Sequence, residues 1–361
     1  MIDFLQVKKE DAVYVQSVPL KTMITEIFIK LGVSDEDSEI VADILVASDL
    51  RGVDSHGVCY NIKRNYLPGI TQGKINPRPN EQLVTETAST ALMDGDRGLG
   101  HASAFRGMNI AIKKARETGV GIVSIKNSAH CGMLAYYPLM ATKQDMIGIA
   151  MTAGGPPTVM PTFGTEPMLS TSPLSIGAPA KNHPAFLLDM ATSIAAGGKF
   201  QIANLLKTEI PEGWGLDENL EPTTDGSIGM TARKWLPLGG ASRLMGGHKG
   251  FGLGLAVDIL CGVLSGEGYL KMADPDRLTH FLMAIDIAAI RPVEEFKSMM
   301  DDMIDEFHSC PKEEGQSRIY IAGEPEWETF LDRSQKGIPI HREIHDWLVA
   351  LAREMNVKNI I

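Results

Sequence analysis

Four short segments of the 361-residue chain gather groups that can move protons or hold anions. RGVDSHG (51–57) packs an Arg, an Asp, a Ser and a His behind a helical stretch. A histidine titrates near neutrality, so His56 can protonate a carbonyl oxygen as hydride arrives, or take the hydroxyl proton in reverse. Asp54 or Ser55 can fix its tautomer, and Gly57 allows a sharp turn beside it. The competing reading is a helix end at which His56 only caps carbonyls. NSAHCG (127–132) closes an apolar strand and precedes a helix, where ligand groups gather in α/β proteins. His130 is therefore a second acid/base or substrate-positioning candidate, and Cys131 beside it reads as a small buried residue. In LLDMATS (187–193), Asp189 can orient a histidine, hold a cofactor, or simply cap the next helix. GGHKGFG (246–252) places His248 and Lys249 in a Gly-rich loop before an apolar helix. Backbone amides at a helix start plus an ammonium suit a pyrophosphate or carboxylate, against the plainer reading of a flexible helix start.

Elements able to position these groups follow from apolar periodicity. Residues 11–18 alternate as a short strand, and Pro19 opens a helix that Gly32 stops. Ser34 with Asp37 resembles a capping box starting a second helix through Ser48, which delivers the chain to RGVDSHG. A third helix over 101–117 ends at Gly119 and feeds a strand at 120–128, with a further helix from Met133. Strands are expected at 146–152, 174–180, 185–191, 281–287 and 318–322, and helices after 246, near 293–307 and twice at the C-terminus. A polar connection spans 211–226. The alternation implies an α/β fold.

Composition limits the function classes. A formal charge of −11 and no Lys/Arg-rich run argue against nucleic acid and anionic lipid as partners. An anionic substrate would need a few basic groups focused in a pocket. Cys59, Cys131, Cys261 and Cys310 form no C-x-x-C pair, which argues against a disulfide scaffold or thiolate zinc site. No apolar run reaches the roughly 20 residues that span a bilayer, and the N-terminus lacks a signal-type apolar core, so a reducing cytoplasm is expected.

No G-x-G-x-x-G turn follows a strand, and no G-x-x-x-x-G-K-[ST] loop is present. The ordered set DLRGVDSHG (49–57), GKINPRPN (73–80), DGDRGLGH (94–101), IKNSAHCG (125–132), IGIAMT (147–152), STSPLSIGAPA (170–180), LLDMATS, PEGWGLD (211–217), LPLGG (236–240) with GGHKGFGL (246–253), and IAGEPE (321–326) nonetheless resembles one family. It is the malate/L-lactate dehydrogenase family, unrelated to the Rossmann-fold enzymes of similar name. The resemblance covers nearly the whole chain. It implies an NAD(P)-binding, non-Rossmann α/β fold, a mixed sheet flanked by helices, in a homodimer with the site near the subunit interface.

By the same resemblance, His56 matches the family's proton donor or acceptor, a role some members assign to the histidine matching His130. NAD or NADP would contact Asp189, Met190, Ala191, Leu238, His248, Lys249, Gly250, Gly323 and Glu324. Residues 1–80 with 300–361 would form a helical, substrate-side lobe, and 81–299 the α/β cofactor lobe. One departure bears on the substrate. Family members often carry an Arg four residues after the catalytic-type His, suited to a carboxylate. Tyr60 stands there, which leaves Arg51 or Arg64, with Ser55, to hold the acid.

The expected activity is hydride transfer between a nicotinamide and a small 2-hydroxy or 2-oxo acid of malate or lactate type. Alternatives are the same chemistry on sulfolactate, ureidoglycolate, a diketo sugar acid or a cyclic imine acid. A scaffold that lost turnover disagrees with the retained polar groups. A metal-dependent hydrolase built on His56, His101 and His130 lacks metal spacing, and no metal is expected.

Overall fold

The computed structural model describes residues 5–269, 272–358 and 361, apart from the side chains of Cys59 and Tyr60. Strand β1 (Ala12–Val15) leads into helix α1 (Ser17–Lys30), with Pro19 in its first turn, where no backbone donor is required. Helix α2 (Asp35–Leu50) begins as the sequence suggests. Its N-cap Ser34 accepts the Asp37 amide at 3.2 Å, and Asp35, Glu36 and Asp37 complement the helix dipole. A tight turn at Asp54–His56 then gives way to α3 (Val58–Asn61), a π-helical turn over Ile62–Tyr66, and α4 (Leu67–Thr71).

The central sheet follows. Strands β2 (Gln82–Glu86) and β3 (Thr90–Asp94) form a hairpin. Helix α5 (Gly100–Thr118) ends at Gly119 in the left-handed region, and β4 (Val120–Ser128) returns parallel to β3. Then come α6 (Tyr136–Thr142), β5 (Met146–Gly154), β6 (Leu174–Ala178) and β7 (Phe186–Met190). Residues 197–235 carry α7 (Gly197–Leu206), β8 (Gly215–Leu216), α8 (Gly226–Ala232) and β9 (Lys234–Trp235). The chain closes with α9 (Gly247–Asp258), β10 (Leu278–Asp286), α10 (Val293–Ser309), α11 (Glu324–Lys336), β11 (Ile338–His341) and α12 (Arg342–Glu354).

The seven strands run in the order β2-β3-β4-β10-β5-β6-β7, and only β3 and β4 are parallel. A dinucleotide fold of the Rossmann type needs parallel strands wound in both directions about a switch point. In this mixed sheet only β3–α5–β4 joins neighbouring parallel strands, which agrees with the missing glycine fingerprint. Three main cores hold the molecule. One joins α1 and α2 to β11 and α12, with β1 and β11 paired across it. A second fills the α5 and α6 side of the sheet. A third gathers Phe200, Trp214 and Trp235, so residues 211–226 belong to a packed unit instead of a bare connection.

Two other expectations give way. Residues 318–322 form no strand. The Leu187 amide donates to the Ala322 carbonyl at 2.9 Å, but the Ile321 amide donates to the Glu324 carboxylate, so no ladder propagates. The helix after NSAHCG starts at Tyr136 instead of Met133, because a turn is needed to bring the Ala135 amide to Asp189.

Candidate active site

A cavity of about 860 Å³ opens between the C-terminal end of α2 and the sheet. Its helical wall is the turn Arg51–His56. The facing wall is built from His130, the 132–135 turn, and Leu187–Ala191 at the end of β7. The start of α7 and the Tyr320–Gly323 segment complete it.

His56 owes its place to backbone anchoring. The Arg333 guanidinium, from α11, donates to both carboxylate oxygens of Asp54 and to the Asp49 carbonyl, with Nη2 to Oδ2 at 3.1 Å. Asp49 accepts the Val58 amide at 2.9 Å. Gly57 has φ −83° and needs no glycine freedom there. Its reason is space, since a Cβ would lie 1.7 Å from the Asp49 carboxylate. Burial and the neighbouring Asp54 carboxylate push Asp49 well above the ordinary carboxylate range. The imidazole itself has one side-chain hydrogen bond, between Nδ1 and the Ser55 hydroxyl at 2.9 Å. Burial, helped by the Lys199 ammonium, lowers His56 to about 4. The neutral ring is the resting form near neutral pH.

His130 is held by its ring. Nδ1 lies 2.7 Å from the Tyr66 hydroxyl and receives the Gly132 amide at 3.1 Å. A backbone amide can only donate, so Nδ1 is the acceptor and the proton of the neutral imidazole sits on Nε2. Burial first, and the surrounding His56, His101, His280 and Arg64, hold His130 well below its usual range. The His56 and His130 rings stack at 24° with centroids 5.6 Å apart, so the two candidate acid/base groups share one spot.

Asp189 faces the cavity from β7. Its carboxylate accepts the Ala135 amide at 2.8 Å, ahead of α6, and does not cap the helix that follows Asp189, which begins at Gly197 with no side-chain cap. Desolvation by the protein packed around the cavity pushes the carboxyl up to about 7, with the Ala135 bond opposing the rise. Met190, Ala191, Leu238 and Gly323 line the cavity with Asp189. His248, Lys249 and Gly250 do not reach its lining; Gly250 packs its backbone against Leu238, and His248 and Lys249 are exposed on α9. Glu324 also stays off the lining. It is buried in a network that accepts from Ile321, His308 and Arg318. Of the candidate substrate cations, Arg51 lines the cavity, stacked on Phe330 at 5.6 Å, while Arg64 does not. Ser55 lines it beside His56.

Sequence reading missed three residues. Arg333 sits in α11, far along the chain, and no local signal links it to Asp54. Tyr66 is fully buried at the end of the π-helical turn, and such turns recur at functional sites. Lys199 lines the cavity from α7, where two glycines disguise a helix start as a loop. His101 is fully buried, with its ring edge-on to Tyr66 at 4.8 Å. Among the described residues no cluster of three or more His, Cys, Asp or Glu has metal-holding geometry.

The donor set suits a nicotinamide dinucleotide. Leu187, Leu188 and Met190 give an apolar wall for a flat ring, and Ser170, Thr171 and Ser193 offer hydroxyls in the same cavity. The family model for malate/L-lactate dehydrogenase matches residues 15–349. A malate dehydrogenase of Pyrococcus abyssi is 43% identical over 97% of each chain. A malate/(S)-sulfolactate dehydrogenase of Methanothermus fervidus is 36% identical over 94% of this chain and 97% of its own. The solved malate dehydrogenase of Pyrococcus horikoshii OT3 superposes with TM-score 0.90 at 41% identity, covering 98% of this chain and 99% of its own. Motifs, mixed sheet and full-length similarity converge: the chain belongs to the malate/L-lactate dehydrogenase family and is a nicotinamide-dependent oxidoreductase of hydroxy acids.

Proposed function

We propose that the cavity interconverts a 2-hydroxy acid and its 2-oxo acid, with malate and oxaloacetate as the first pair and lactate and pyruvate as the second. The observation that carries this reading is the stacked pair His56 and His130 at the junction of the helical turn and the sheet wall. When bound, NAD or NADP supplies or accepts the hydride. His56 exchanges a proton with the substrate oxygen. Its neutral state suits the base needed for alcohol oxidation. His130, with its proton on Nε2, donates a hydrogen bond to the same oxygen and steadies its developing charge. Asp189 and the apolar β7 wall position the cofactor's reactive end.

A panel of 2-oxo acids assayed with NADH and with NADPH tests the proposal and assigns the cofactor. Oxaloacetate should give the highest kcat/KM, and no turnover of any 2-oxo acid would sink the reading. Sulfopyruvate is included because relatives are named for sulfolactate.

We also propose a homodimer. Leu253, Ala256, Ile259, Val263 and Leu264 are exposed along one face of α9 and its continuation, an apolar stripe of the kind that subunits cover. A monomer mass by light scattering would end that proposal. The unpaired Cys131, Cys261 and Cys310 support placement in a reducing compartment such as the cytoplasm, testable by fractionating cells expressing a tagged chain.

A further inference from the structure

We infer that the Lys199 ammonium holds the substrate's carboxylate, the task left open by Tyr60. The inference rests on reading the cavity as a 2-hydroxy/2-oxo acid site and names the residue that makes it selective for acids.

The chain carries a formal charge of −11, so a small anion has to be attracted by cations inside the cavity. Among the described residues, Arg51 and Lys199 are the cations on its lining. Arg51 is engaged, stacked on Phe330 and drawn to the Glu326 carboxylate. Among the described residues, Lys199 meets no carboxylate. Its ammonium rests 5.8 Å from the centre of the Trp214 ring, and burial alone perturbs it. A half-buried ammonium facing an aromatic ring and an open cavity is poised for an anion that arrives from outside.

Its position suits the acid group. Helix α7 begins with Gly197 and Gly198, and a Cβ at 198 would lie 2.5 Å from the Ser55 Cβ. The glycine lets the helix start press onto the turn that bears His56. Lys199, the next residue, is close enough for its charge to disfavour protonation of His56. In a 2-oxo acid the carboxylate and the reacting carbonyl are on adjacent carbons. The group that holds the carboxylate must therefore neighbour the group that moves the proton, and Lys199 does. Arrival of the carboxylate also offsets the field of Lys199 on His56. Substrate binding thus makes the imidazole easier to protonate, which favours proton delivery only when an acid is in place.

The test compares the full-length enzyme with Lys199→Met and Lys199→Arg, using the best 2-oxo acid from the panel and its methyl ester. Lys199→Met should lose about 10²-fold in kcat/KM on the acid, mostly through KM, and little on the ester. Lys199→Arg should recover most of the loss. Cofactor Kd by nicotinamide fluorescence should stay unchanged, and the His56 limb of the free enzyme's pH profile should move to higher pH in Lys199→Met. Equal losses on acid and ester would overturn the inference, as would a weakened cofactor Kd with an unchanged KM for the acid. Binding of oxamate, a non-reacting 2-oxo acid isostere, to the enzyme–cofactor complex reads Lys199 without turnover. It should weaken about 10²-fold in Lys199→Met, and unchanged oxamate affinity overturns the inference. Oxamate binding without turnover of any 2-oxo acid would instead remove the proposed reaction and leave the Lys199 contact standing.

Discussion

The two walls of the cavity hold their histidines by opposite means. On the helical wall the backbone is anchored and the ring is loosely held. Arg333 clamps Asp54, Asp49 holds the Val58 amide, and the His56 imidazole keeps a single hydroxyl partner, Ser55. On the sheet wall the ring itself is fixed, by Tyr66 and Gly132 on one nitrogen. A ring whose tautomer is dictated by a backbone amide suits a constant hydrogen-bond donor. A ring with one adaptable hydroxyl partner can change protonation without breaking a buried network. Under the proposed function, the contrast supports His56 as the group that moves the proton and His130 as the steady donor.

The largest expected effect tests that assignment directly. His56→Ala should lower kcat by about 10²–10⁴-fold with cofactor Kd near normal, and His130→Ala should cost less, about 10²-fold. A deeper loss in His130→Ala, measured under the same saturating cofactor, would reverse the roles. The next effect falls on the helical wall's anchor. Asp54→Asn leaves the mostly buried Arg333 charge half-paired, which costs about 3 kcal/mol, read as a lower midpoint in urea unfolding. Because that clamp shapes the turn bearing His56, kcat should fall with it. Full activity at reduced stability would show that His56 does not depend on the clamp.

Acid should act on the histidines packed behind the sheet wall as it does on His56. His101 and His280 are fully buried and held down to about 3 and about 4, chiefly by burial. Each binds a proton more readily in the unfolded chain. Stability is therefore complete above the unfolded value near 6.5 and is lost as pH falls from there towards 4. His280, bonded to Thr152 and Ser128, contributes on the order of 3 kcal/mol to that loss. Urea midpoints from pH 7 to 4.5 should drop steeply, and His280→Gln should flatten the slope. A slope unchanged in that variant would place the acid sensitivity elsewhere.

Legibility in the sequence followed the same division. The α2 cap at Ser34, the α5 stop at Gly119 and the strand that carries Asp189 were readable because each depends on neighbours within a few residues. The segments RGVDSHG and NSAHCG pointed to both histidines, although not to their stacking. Arg333 and Asp54 are 279 residues apart, and no periodicity carries such a pairing. The 318–322 segment alternates like a strand, but its Ile321 amide donates to the Glu324 carboxylate and its Ala322 carbonyl accepts a single strand amide, from Leu187. Helix α7 hid behind Gly197 and Gly198, whose value lies in close packing on Ser55, a property of the folded chain. His248 and Lys249 are the reverse case: a local anion motif that the structure places on an exposed stretch of α9, off the cavity lining.

The smallest expected effect is the sharpest test of the contrast between the walls. Tyr66→Phe keeps the buried ring against Phe28 and His101 and removes only the hydroxyl at His130 Nδ1. The Gly132 amide remains, so the tautomer should survive while the ring loses one restraint. A fall of about 10-fold in kcat is expected, with KM nearly unchanged, the size of one net hydrogen bond. The pH limb that reports His56 should stay in place, because Tyr66 acts through His130. If the limb moves in Tyr66→Phe and not in a Ser55→Ala control, the proton travels through His130, and the loosely held ring of His56 is the positioning group.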